Sequence, residues 1–525
     1  MASDNENTEG TAITGAHCTM EIPERRKTER RKSARIVLKD GKVKISYGDG
    51  LAGYARLVNL SPKGVSLETL QSLTVNSEIS IQTALTEEPF NGRVIWCKSN
   101  TAASDGFDYL CGVSLTGAID SWQMFSLKAE KSPLQDGRRT MKPLFEKSDK
   151  FALRLAEWQK NSVYVYFRVP KTAKNVILFS SNDFLCLSRH PKVVAASAKA
   201  LRKYGIGSGA ASILAGSTAV HSQLQERLAA FKGVEAVLVT ASGYVANVGS
   251  IAGFADAHQI LIIDEKSHAS MFHACKESTS EMRIFRHNDL KDLLQKVSRY
   301  PLSVPKMILT EGLFSMDGDM GKLREIHAIA RRYNASLFID DGHSVGLLGD
   351  QGRGADELAG LLGQCDLITG SFSKAFGAMG GFVASTRKNI DYLRHFSHPF
   401  MFTSALPASV CAGILAALDV MEHEPERRRQ ITRNGVFFRE SLRNMGFNTS
   451  TCDSHLVPIV IGHEVKAYQL AKKLEEEGII ANAVARPAVP RGEARVRFGI
   501  RYAHSQKDLE RTLEILQKLK SSLDL

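Results

Sequence analysis

The chain has 525 residues with 43% hydrophobic and 24% charged side chains and a formal net charge of +12, so it is too long for one core and too apolar for a disordered protein. It has no apolar stretch long enough to span a bilayer, its polar start is unlike a signal peptide, and its eight scattered cysteines contain no CxxC pair. We therefore expect a cytoplasmic, reduced protein of at least two domains, with no metal site and no transmembrane segment.

The N-terminal region combines a polar tail with a basic cluster. Residues 1–20 are small and polar, which predicts disorder. Seven arginines and lysines then lie between residues 25 and 35. Such a cluster is typical of contact with nucleic acid, an anionic membrane surface or a phosphorylated ligand, and also of a solvated arm. No aromatic residue is interleaved with it, which disfavours a nucleic-acid-binding protein and leaves peripheral membrane contact open.

Residues 21–127 are predicted to form a small antiparallel β-barrel. Short alternating runs are separated by glycine, asparagine, serine and proline turns, without helical interludes. These runs are Val43–Tyr47, Ala55–Val58, Gly64–Leu67, Arg93–Trp96 and Tyr109–Leu115. Residues 128–150 are polar and contain two prolines, which indicates a linker.

Two short motifs suggest a ligand for this barrel. Arg31 and Arg35 have the spacing RxxxR, and an Asn-x-Ser-x-x-Gly turn starts at Asn59, twenty-four residues later. Two guanidiniums at that spacing can grip phosphates and stack on purine faces. Together the motifs resemble the PilZ domain. The resemblance implies a cyclic di-GMP site made by Arg31, Arg35, Asn59, Ser61 and Gly64, although some PilZ domains do not bind this dinucleotide.

Beyond residue 150, helical stretches such as Lys192–Lys203 and His221–Phe231 alternate with short apolar runs. The apolar runs are Ala236–Val239, Ile260–Ile263, Met307–Leu309, Leu337–Ile339 and Leu367–Ile368. This alternation predicts a buried, mostly parallel sheet with helices on both faces, over about 195–410. A smaller C-terminal domain is expected over about 411–525, and ligands are expected where the strands end.

Lys374 and Asp340 are the most informative residues of this region. Lys374 lies in Gly370–Gly377, between small hydroxyl residues, and the apolar run before Asp340 is followed by His343. Pyridoxal phosphate needs a lysine for its imine, an acid beside its pyridine nitrogen, and hydroxyls or amides around its phosphate. A carboxylate beside that nitrogen favours its protonated form. The two motifs together therefore favour this coenzyme over a strand cap and a surface lysine.

Other strand ends fit the same coenzyme. The amides of Gly243 and Tyr244 are expected at a helix N-terminus, where they could bind phosphate. His268 follows the next strand and could stack on a flat ring, and Ser315 could bond near the ring oxygen. Arg497 lies on a predicted strand, where an inward guanidinium could hold a carboxylate, although a surface ion pair is the alternative.

In this order, the segments resemble the α-oxoamine synthase family over roughly residues 150 to 525. The resemblance implies a fold type I transferase of the aspartate aminotransferase kind, working as a homodimer. It implies that Lys374 forms the coenzyme imine and acts as base, that Asp340 pairs with the pyridine nitrogen, and that His268 stacks on the ring. His343 and Ser315 would contact the ring hydroxyl. The implied phosphate ligands are Gly243, Tyr244, Ser371 and, from the neighbouring subunit, Ser404, and the implied substrate ligands are Asn182 and Arg497.

The implied reaction is decarboxylative condensation of an amino acid with an acyl-CoA thioester to give an α-amino ketone. Gly370–Val383 and Pro399–Pro407 look most like serine palmitoyltransferases, and slightly less like the glycine ligase and the biotin-pathway synthase. Aminotransferases are the nearest alternative, but Ala375–Gly381 lacks the arginine that usually neutralises the coenzyme phosphate. A scaffold without turnover is a further alternative, and intact Lys374, Asp340 and His343 argue against it. Two positions depart from the family pattern: Gly342 replaces the usual alanine or serine, and Gly209–Ile213 lacks the arginine that many members have there.

Overall fold

A computed structural model of the chain describes residues 42–47, 52–61, 64–69, 78–82, 90–99, 109–116, 146–160, 176–486 and 488–523. The chain divides into two compact units, Met1–Met141 and Lys142–Leu525. The division falls inside the segment 128–150 that the sequence assigns to a linker, and a helix begins within that segment at Glu146. The predicted tail, Arg31 and Arg35 lie outside the described residues.

The first unit contains a closed antiparallel barrel with the strand order β1-β2-β3-β6-β5-β4. Its strands are β1 (Lys42–Tyr47), β2 (Ala52–Ser61), β3 (Gly64–Thr69), β4 (Glu78–Gln82), β5 (Phe90–Ser99) and β6 (Tyr109–Thr116). The predicted small barrel is thus confirmed, with β4 in addition. Asn59 and Ser61 lie on β2, and Ser61 pairs with Gly64 at the start of β3, so the predicted turn joins these two strands.

The second unit is built from alternating strands and helices. Its helices are α1 (Glu146–Lys160), α2 (Pro191–Tyr204), α3 (Ala219–Lys232), α4 (Gly243–Phe254), α5 (Ala269–Glu277), α6 (Leu290–Val297), α7 (Leu323–Arg332), α8 (Ala355–Leu358), α9 (Arg387–Phe396), α10 (His398–Met401), α11 (Ala408–His423), α12 (Glu426–Asn444), α13 (Glu464–Glu476) and α14 (Gln506–Leu523). Its strands are β7 (Ile177–Leu178), β8 (Ala236–Thr240), β9 (Ile260–Asp264), β10 (Glu281–Phe285), β11 (Lys306–Glu311), β12 (Ala335–Asp340), β13 (Leu367–Ser371), β14 (Gly381–Ser385), β15 (Leu456–Gly462), β16 (Ile479–Ile480), β17 (Asn482–Val484) and β18 (Ala494–Gly499).

The main sheet has the order β10-β9-β11-β12-β13-β14-β8. Neighbouring strands from β10 to β13 run parallel, and β14 runs antiparallel to both β13 and β8. The mostly parallel sheet predicted from the sequence is therefore confirmed. Strands β9, β11, β13 and β14 are buried at every residue, as expected for a sheet covered by helices on both faces. Register aligns Glu311 with Asp340 and Asp340 with Thr369, so polar residues collect at one sheet edge.

A second sheet, β15-β18-β17, has its own apolar core with helices α12, α13 and α14. Phe438, Val496 and Phe498 are central to this core and fully buried. Helix α11 instead packs its buried side chains into the core of the main sheet, as does Ile431 of α12. By core membership, the C-terminal domain thus begins later than residue 411.

Candidate active site

Asp340 is the last residue of β12, and two donors hold its carboxylate. The side-chain amide of Asn247 donates to Asp340 Oδ2 at 2.6 Å, and the backbone amide of Gly342 donates to Oδ1 at 2.8 Å. The carbonyl of Asn247 in turn accepts from Thr369 Oγ1 at 2.6 Å, so the amide is fixed in orientation. The carboxylate is therefore held in one position at the edge where the parallel strands end.

Lys374 lies in the connection between β13 and β14 and directs its amine towards Asp340. A Cβ placed on Gly342 would lie 2.9 Å from Asp340 Oδ1 and 3.1 Å from Lys374 Nζ, so glycine at this position leaves the space between the two groups free. Burial lowers the pKa of the Lys374 amine, an effect that the carboxylates of Asp340 and Glu311 oppose. Among the described residues the amine has no hydrogen-bond or ion-pair partner, which leaves it available to react.

Gly243, Tyr244 and Ser371 come together at the N-terminus of α4. Ser242 caps this helix by accepting from the amide of Val245 at 3.1 Å. A Cβ on Gly243 would lie 2.9 Å from Ser371 Cβ, so only glycine allows the helix to approach β13 this closely. Ser371 Oγ bonds with Ser373 Oγ at 2.8 Å. Free helix amides beside hydroxyl groups form a cradle suited to a phosphate.

His268 and His343 both follow strands that end at this edge. His268 caps α5 and its Nδ1 bonds with Ser270 Oγ at 2.7 Å, and the residue remains partly exposed. Partial burial of the imidazole lowers the pKa of His268. His343 is buried, and burial, followed by the charges of Lys374 and Arg497, holds its pKa well below the usual range. His343 Nδ1 has no hydrogen-bond partner among the described residues.

Arg497 is a buried guanidinium whose contacts are neutral. Its Nη1 donates to the carbonyl of Ser315 at 3.2 Å, and its Nη2 donates to Asn182 Oδ1 at 3.2 Å. Burial lowers its pKa to about 10. Arg495, two residues earlier, is different because it pairs with Asp317 at 2.8 Å and with Glu493 at 2.9 Å. Of these two arginines, Arg497 is the one that keeps its charge free for an external carboxylate.

Three further residues belong to the site and were not among the sequence candidates. Glu311 is buried next to Asp340, and burial together with that neighbouring charge raises its pKa well above the usual range. Asn247 orients Asp340, as described above. His455 packs its ring against Phe184 with centroids 4.6 Å apart, and burial lowers its pKa to about 3. Asn247 lies four residues after Gly243 on the same helix, so this position was the available signal; His455 carries no such signal.

The side chain of Ser404 is exposed, and its backbone forms an isolated antiparallel bridge with Ala211. Large apolar side chains near these two segments are also exposed, namely Ile206 at 88%, Leu214 at 78% and Phe402 at 77%. Exposed apolar groups of this size rimmed by polar residues are typical of an interaction surface.

A cavity of about 830 Å³ lies between α5 and the C-terminal sheet. Phe272, Phe314 and Met316 contribute apolar surface to it, and Lys276, Arg486 and Arg491 contribute exposed positive charge. Another lining cation, Lys266, is paired with Asp317 at 3.1 Å. The cavity thus combines an apolar wall with free cations, a combination suited to a ligand that has both an acyl chain and phosphates.

The residues present fit pyridoxal phosphate. The amine of Lys374, the fixed carboxylate of Asp340 and the cradle of Gly243 and Ser371 provide the groups that its aldehyde, ring nitrogen and phosphate require. The orphaned Nδ1 of buried His343 also indicates a missing polar partner. The described residues contain no group of His, Cys, Asp and Glu that could hold a metal ion, and no described helix is long and apolar enough to cross a membrane.

Comparison with protein families gives two matches. The family described as "Aminotransferase class I and II" matches residues 174–516, and the PilZ domain matches residues 24–120. An 8-amino-7-oxononanoate synthase of Thermoanaerobacter pseudethanolicus is 38% identical over 356 residues, 67% of this chain and 89% of that protein. The corresponding enzyme of Symbiobacterium thermophilum is 38% identical over 353 residues, 67% of this chain and 90% of that protein.

Solved structures show the same relationship. A serine palmitoyltransferase from S. paucimobilis superposes with a TM-score of 0.71 at 30% identity, over 73% of this chain and 100% of that one. An 8-amino-7-oxononanoate synthase from Francisella tularensis superposes with a TM-score of 0.59 at 26% identity, over 67% of this chain and 99% of that one. Fold, site and relatives thus define a pyridoxal-phosphate-dependent acyltransferase of fold type I. The chain belongs to the α-oxoamine synthase family within the class I and II aminotransferases, and it carries an N-terminal PilZ domain.

Proposed function

We propose that this enzyme condenses an amino acid with an acyl-CoA thioester and releases carbon dioxide and an α-amino ketone, in the manner of a serine palmitoyltransferase. The observation that carries the proposal is the buried, acid-free guanidinium of Arg497 in the same site as the amine of Lys374. A carboxylate held by Arg497 would place the α-carbon of an amino acid near that amine. The relatives are named for different compounds, an 8-amino-7-oxononanoate synthase and a serine palmitoyltransferase.

When bound, pyridoxal phosphate supplies an electron sink that stabilises negative charge at the α-carbon. Asp340 would hold a proton at the pyridine nitrogen by its charge, and Asn247 and Gly342 keep its carboxylate oriented. The imidazole of His268 would stack on the ring. Ser315 and His343 would provide polar groups for the ring hydroxyl, and the cradle of Gly243, Tyr244 and Ser371 would bind the phosphate.

The amine of Lys374 acts as general base. Its lowered pKa increases the fraction of neutral amine at neutral pH, and the neutral amine can accept the α-proton of the amino acid. Arg497 and Asn182 hold the substrate carboxylate, and Asn182 limits the directions in which the guanidinium can turn. An Arg497→Lys variant should raise the amino-acid KM roughly ten- to a hundredfold, because an ammonium cannot bind a carboxylate bidentately.

The large cavity would accept the acyl donor. Its apolar wall suits the acyl chain, and Lys276, Arg486 and Arg491 suit the phosphates of coenzyme A, since none of these three cations has an ion-pair partner among the described residues. The experiment is a mass-spectrometric screen of serine, alanine and glycine, each with palmitoyl-CoA and with pimeloyl-CoA. Serine with palmitoyl-CoA is the expected best pair. Product from alanine with pimeloyl-CoA alone would instead indicate the reaction named for the sequence relatives.

An aminotransferase is the second candidate because the broader family match carries that name. The stretch Ala375–Gly381 contains no arginine for the coenzyme phosphate, which weighs against it. Transamination would be detected as a 2-oxo acid formed from the amino acid without consumption of the thioester. Dominance of that product would overturn the proposed condensation.

We further propose that the enzyme is a homodimer whose contact surface includes the exposed apolar side chains near Ser404. In such a dimer, Ser404 of the partner subunit would approach the coenzyme phosphate. Sedimentation of the full chain should give about twice the monomer mass. Leu214→Glu should shift the population towards monomer, because the charge would enter an apolar interface.

The PilZ domain is proposed to bind cyclic di-GMP and to regulate the enzyme. The proposal rests on the family match over residues 24–120 and on the motif residues Arg31, Arg35, Asn59, Ser61 and Gly64. Ser61 at the end of β2 pairs with Gly64 at the start of β3, so these two motif residues lie side by side. Whether the dinucleotide raises or lowers the rate is decided by assaying the full chain with and without it.

A further inference from the structure

His287 lies between two buried carboxylates. Its Nδ1 is 2.9 Å from Asp264 Oδ1 and its Nε2 is 2.8 Å from Asp319 Oδ2. Both ring nitrogens can donate only when the imidazole carries two protons, so this geometry requires the charged form. The ring also packs edge-on against Phe314, with centroids 4.4 Å apart.

The surroundings of His287 favour the charge. Burial alone would lower its pKa, but hydrogen bonds to Asp264 and Asp319 outweigh burial and raise the pKa to about 9. The other charged groups at this junction are Glu265, which accepts from the backbone amide of His287, Lys266, whose amide donates to Asp264, and Asp453, which lies close to Asp319. Acids outnumber bases around the ring, which is consistent with an imidazolium.

The two carboxylates belong to different walls of the active site. Asp264 is the last residue of β9, four positions before His268, on the wall that would face the coenzyme ring. Asp319 ends the segment Ser315–Asp319, and this segment contacts both arginines of β18. Its Ser315 carbonyl accepts from Arg497 and its Asp317 carboxylate accepts from Arg495.

The segment Ser315–Asp319 also anchors the C-terminal sheet. Thr451 Oγ1 donates to Asp319 Oδ2 at 3.1 Å, and Ser454 Oγ donates to the carbonyl of Gly318 at 2.7 Å. Asn288, the neighbour of His287, adds a bond to the carbonyl of Met320 at 3.0 Å. The imidazole of His287 therefore joins the strand that precedes His268 to the segment that orients Arg497.

We propose that His287 is a positioning residue for the amino-acid site: its two hydrogen bonds fix the distance between the ring-facing wall and the guanidinium of Arg497. The proposal rests on the proposed function, because it takes the substrate carboxylate to bind at Arg497. His287 itself touches neither substrate nor coenzyme in this role. Loss of one of its bonds would let the Ser315–Asp319 segment move and would displace the carboxylate receptor.

The test uses the full-length enzyme loaded with pyridoxal phosphate and compares wild type with His287→Gln. Glutamine can replace one of the two bonds and cannot carry the charge. Amino-acid binding is followed by the change in coenzyme absorbance without acyl donor, and steady-state kinetics are measured in parallel. The matched control is His423→Gln, an exposed histidine at the end of α11 whose ring bonds to a carbonyl within its own helix.

We expect His287→Gln to weaken amino-acid binding and raise KM roughly tenfold or more, with kcat within a few-fold and the coenzyme spectrum unchanged. Wild-type affinity should fall as the pH rises through about 9, the pKa of His287, and the variant should lack this step. The control should behave as wild type. A variant that binds the amino acid like wild type, or that loses coenzyme and kcat in parallel with affinity, would overturn the positioning role.

Further outcomes distinguish failure of the positioning role of His287 from failure of the proposed function. If His287→Gln does not fold, Asp319→Asn removes the same charged contact from the other side and should show the same selective rise in KM; an unchanged KM would overturn the inference. If wild type and control bind no amino acid at all, the proposed function fails and this inference fails with it. If they bind and His287→Gln binds equally well, only the inference fails.

Discussion

Lys374 and Asp340 show that the site chemistry depends on which residues lie at the ends of strands. Asp340 ends β12 with both carboxylate oxygens engaged, and Lys374 follows β13 with its amine near that carboxylate. Burial destabilises the ammonium form of Lys374, and the carboxylates of Asp340 and Glu311 partly offset this effect. A lysine poised in this way can react with an aldehyde and later accept a proton.

Replacing Lys374 with alanine should abolish turnover and the visible absorbance of covalently held coenzyme, because no other amine in the described site occupies its position. Absorbance spectra and product formation are the measurements. Lys388→Ala, an exposed lysine on α9, is the matched control and should retain both. Full activity in the Lys374 variant would contradict the assigned role.

Replacing Asp340 with asparagine should preserve the fold and lower kcat roughly a hundredfold or more, because an amide cannot hold the pyridine proton by charge. The reason is also local: Asn247 and Gly342 both donate to this position, and an amide nitrogen would face one of these donors. Circular dichroism and kcat are measured together. An unimpaired Asp340→Asn enzyme would rule out the electrostatic role.

The sequence could predict those residues because each stands at a recognisable strand end, in a short motif. The family resemblance implied both Asn182 and Arg497 as substrate ligands, but the hydrogen bond between them could not be predicted, because they lie 315 positions apart and only the fold brings them within 3.2 Å. The sequence pattern does not distinguish Arg495 from Arg497. The structure does, because Arg495 pairs with acids and Arg497 has neutral partners. His455 and Glu311 are recognised as site residues only from the structure, which shows that both are buried beside charged groups of the site.

Asp341, the residue after β12, belongs to a buried cluster of charged side chains next to the site. Lys232, the last residue of α3, lies 3.0 Å from Asp341 Oδ2 and 2.7 Å from Asp356 Oδ1, with all three side chains buried. Asp341 also accepts from Ser344 Oγ and from the amide of Ala355. The cluster ties a helix end to the loop that carries His343.

Lys232→Met should destabilise the second unit by roughly 3–5 kcal/mol, because it leaves two buried carboxylates without a cation. Chemical denaturation of the full chain gives the free energy of unfolding. Lys199→Met, a lysine on α2 outside this cluster, is the control. Equal stability of wild type and Lys232→Met would show that the cluster contributes nothing to the fold.

The charged His287 should make stability depend on pH. Its folded pKa of about 9 lies above the ordinary value of 6.5, so its contribution is fully present below about pH 6.5 and is lost as the pH rises through 9. The shift corresponds to about 3 kcal/mol at most. Unfolding free energies of wild type should therefore fall over this range, and those of His287→Gln should fall less; parallel curves would contradict the assignment.

At the level of these elements, the parallel sheet was predictable because its strands are continuous apolar runs with helices between them. Strand β4, Glu78–Gln82, was missed although it alternates apolar and polar residues. It is short and is flanked by polar residues, so the pattern around it is weak. The core that α11 joins was not predictable, because α11 packs against α2 but nothing in its own residue pattern indicates which core it belongs to.

The chain joins two domains, a PilZ domain and an α-oxoamine synthase domain. If cyclic di-GMP is the ligand of the first, the full chain should bind it with micromolar or tighter affinity that weakens with salt, because guanidinium–phosphate contacts are screened. Arg31→Ala or Arg35→Ala should each cost roughly 1.5–3 kcal/mol, or about ten- to a hundredfold in affinity. Calorimetry measures this, with Arg25→Ala as a control from the same basic cluster. No heat at high micromolar ligand would leave this domain with a structural or protein-binding role.

Carbon dioxide release coupled to thioester cleavage tests the account most directly. The full-length enzyme with pyridoxal phosphate is given serine labelled in the carboxyl carbon together with palmitoyl-CoA, and labelled carbon dioxide, free coenzyme A and the amino ketone are measured together. If the proposed condensation occurs, wild type gives equal amounts of all three products and Lys374→Ala gives none. Free coenzyme A without labelled carbon dioxide, across serine, alanine and glycine, or equal release by Lys374→Ala, would contradict it.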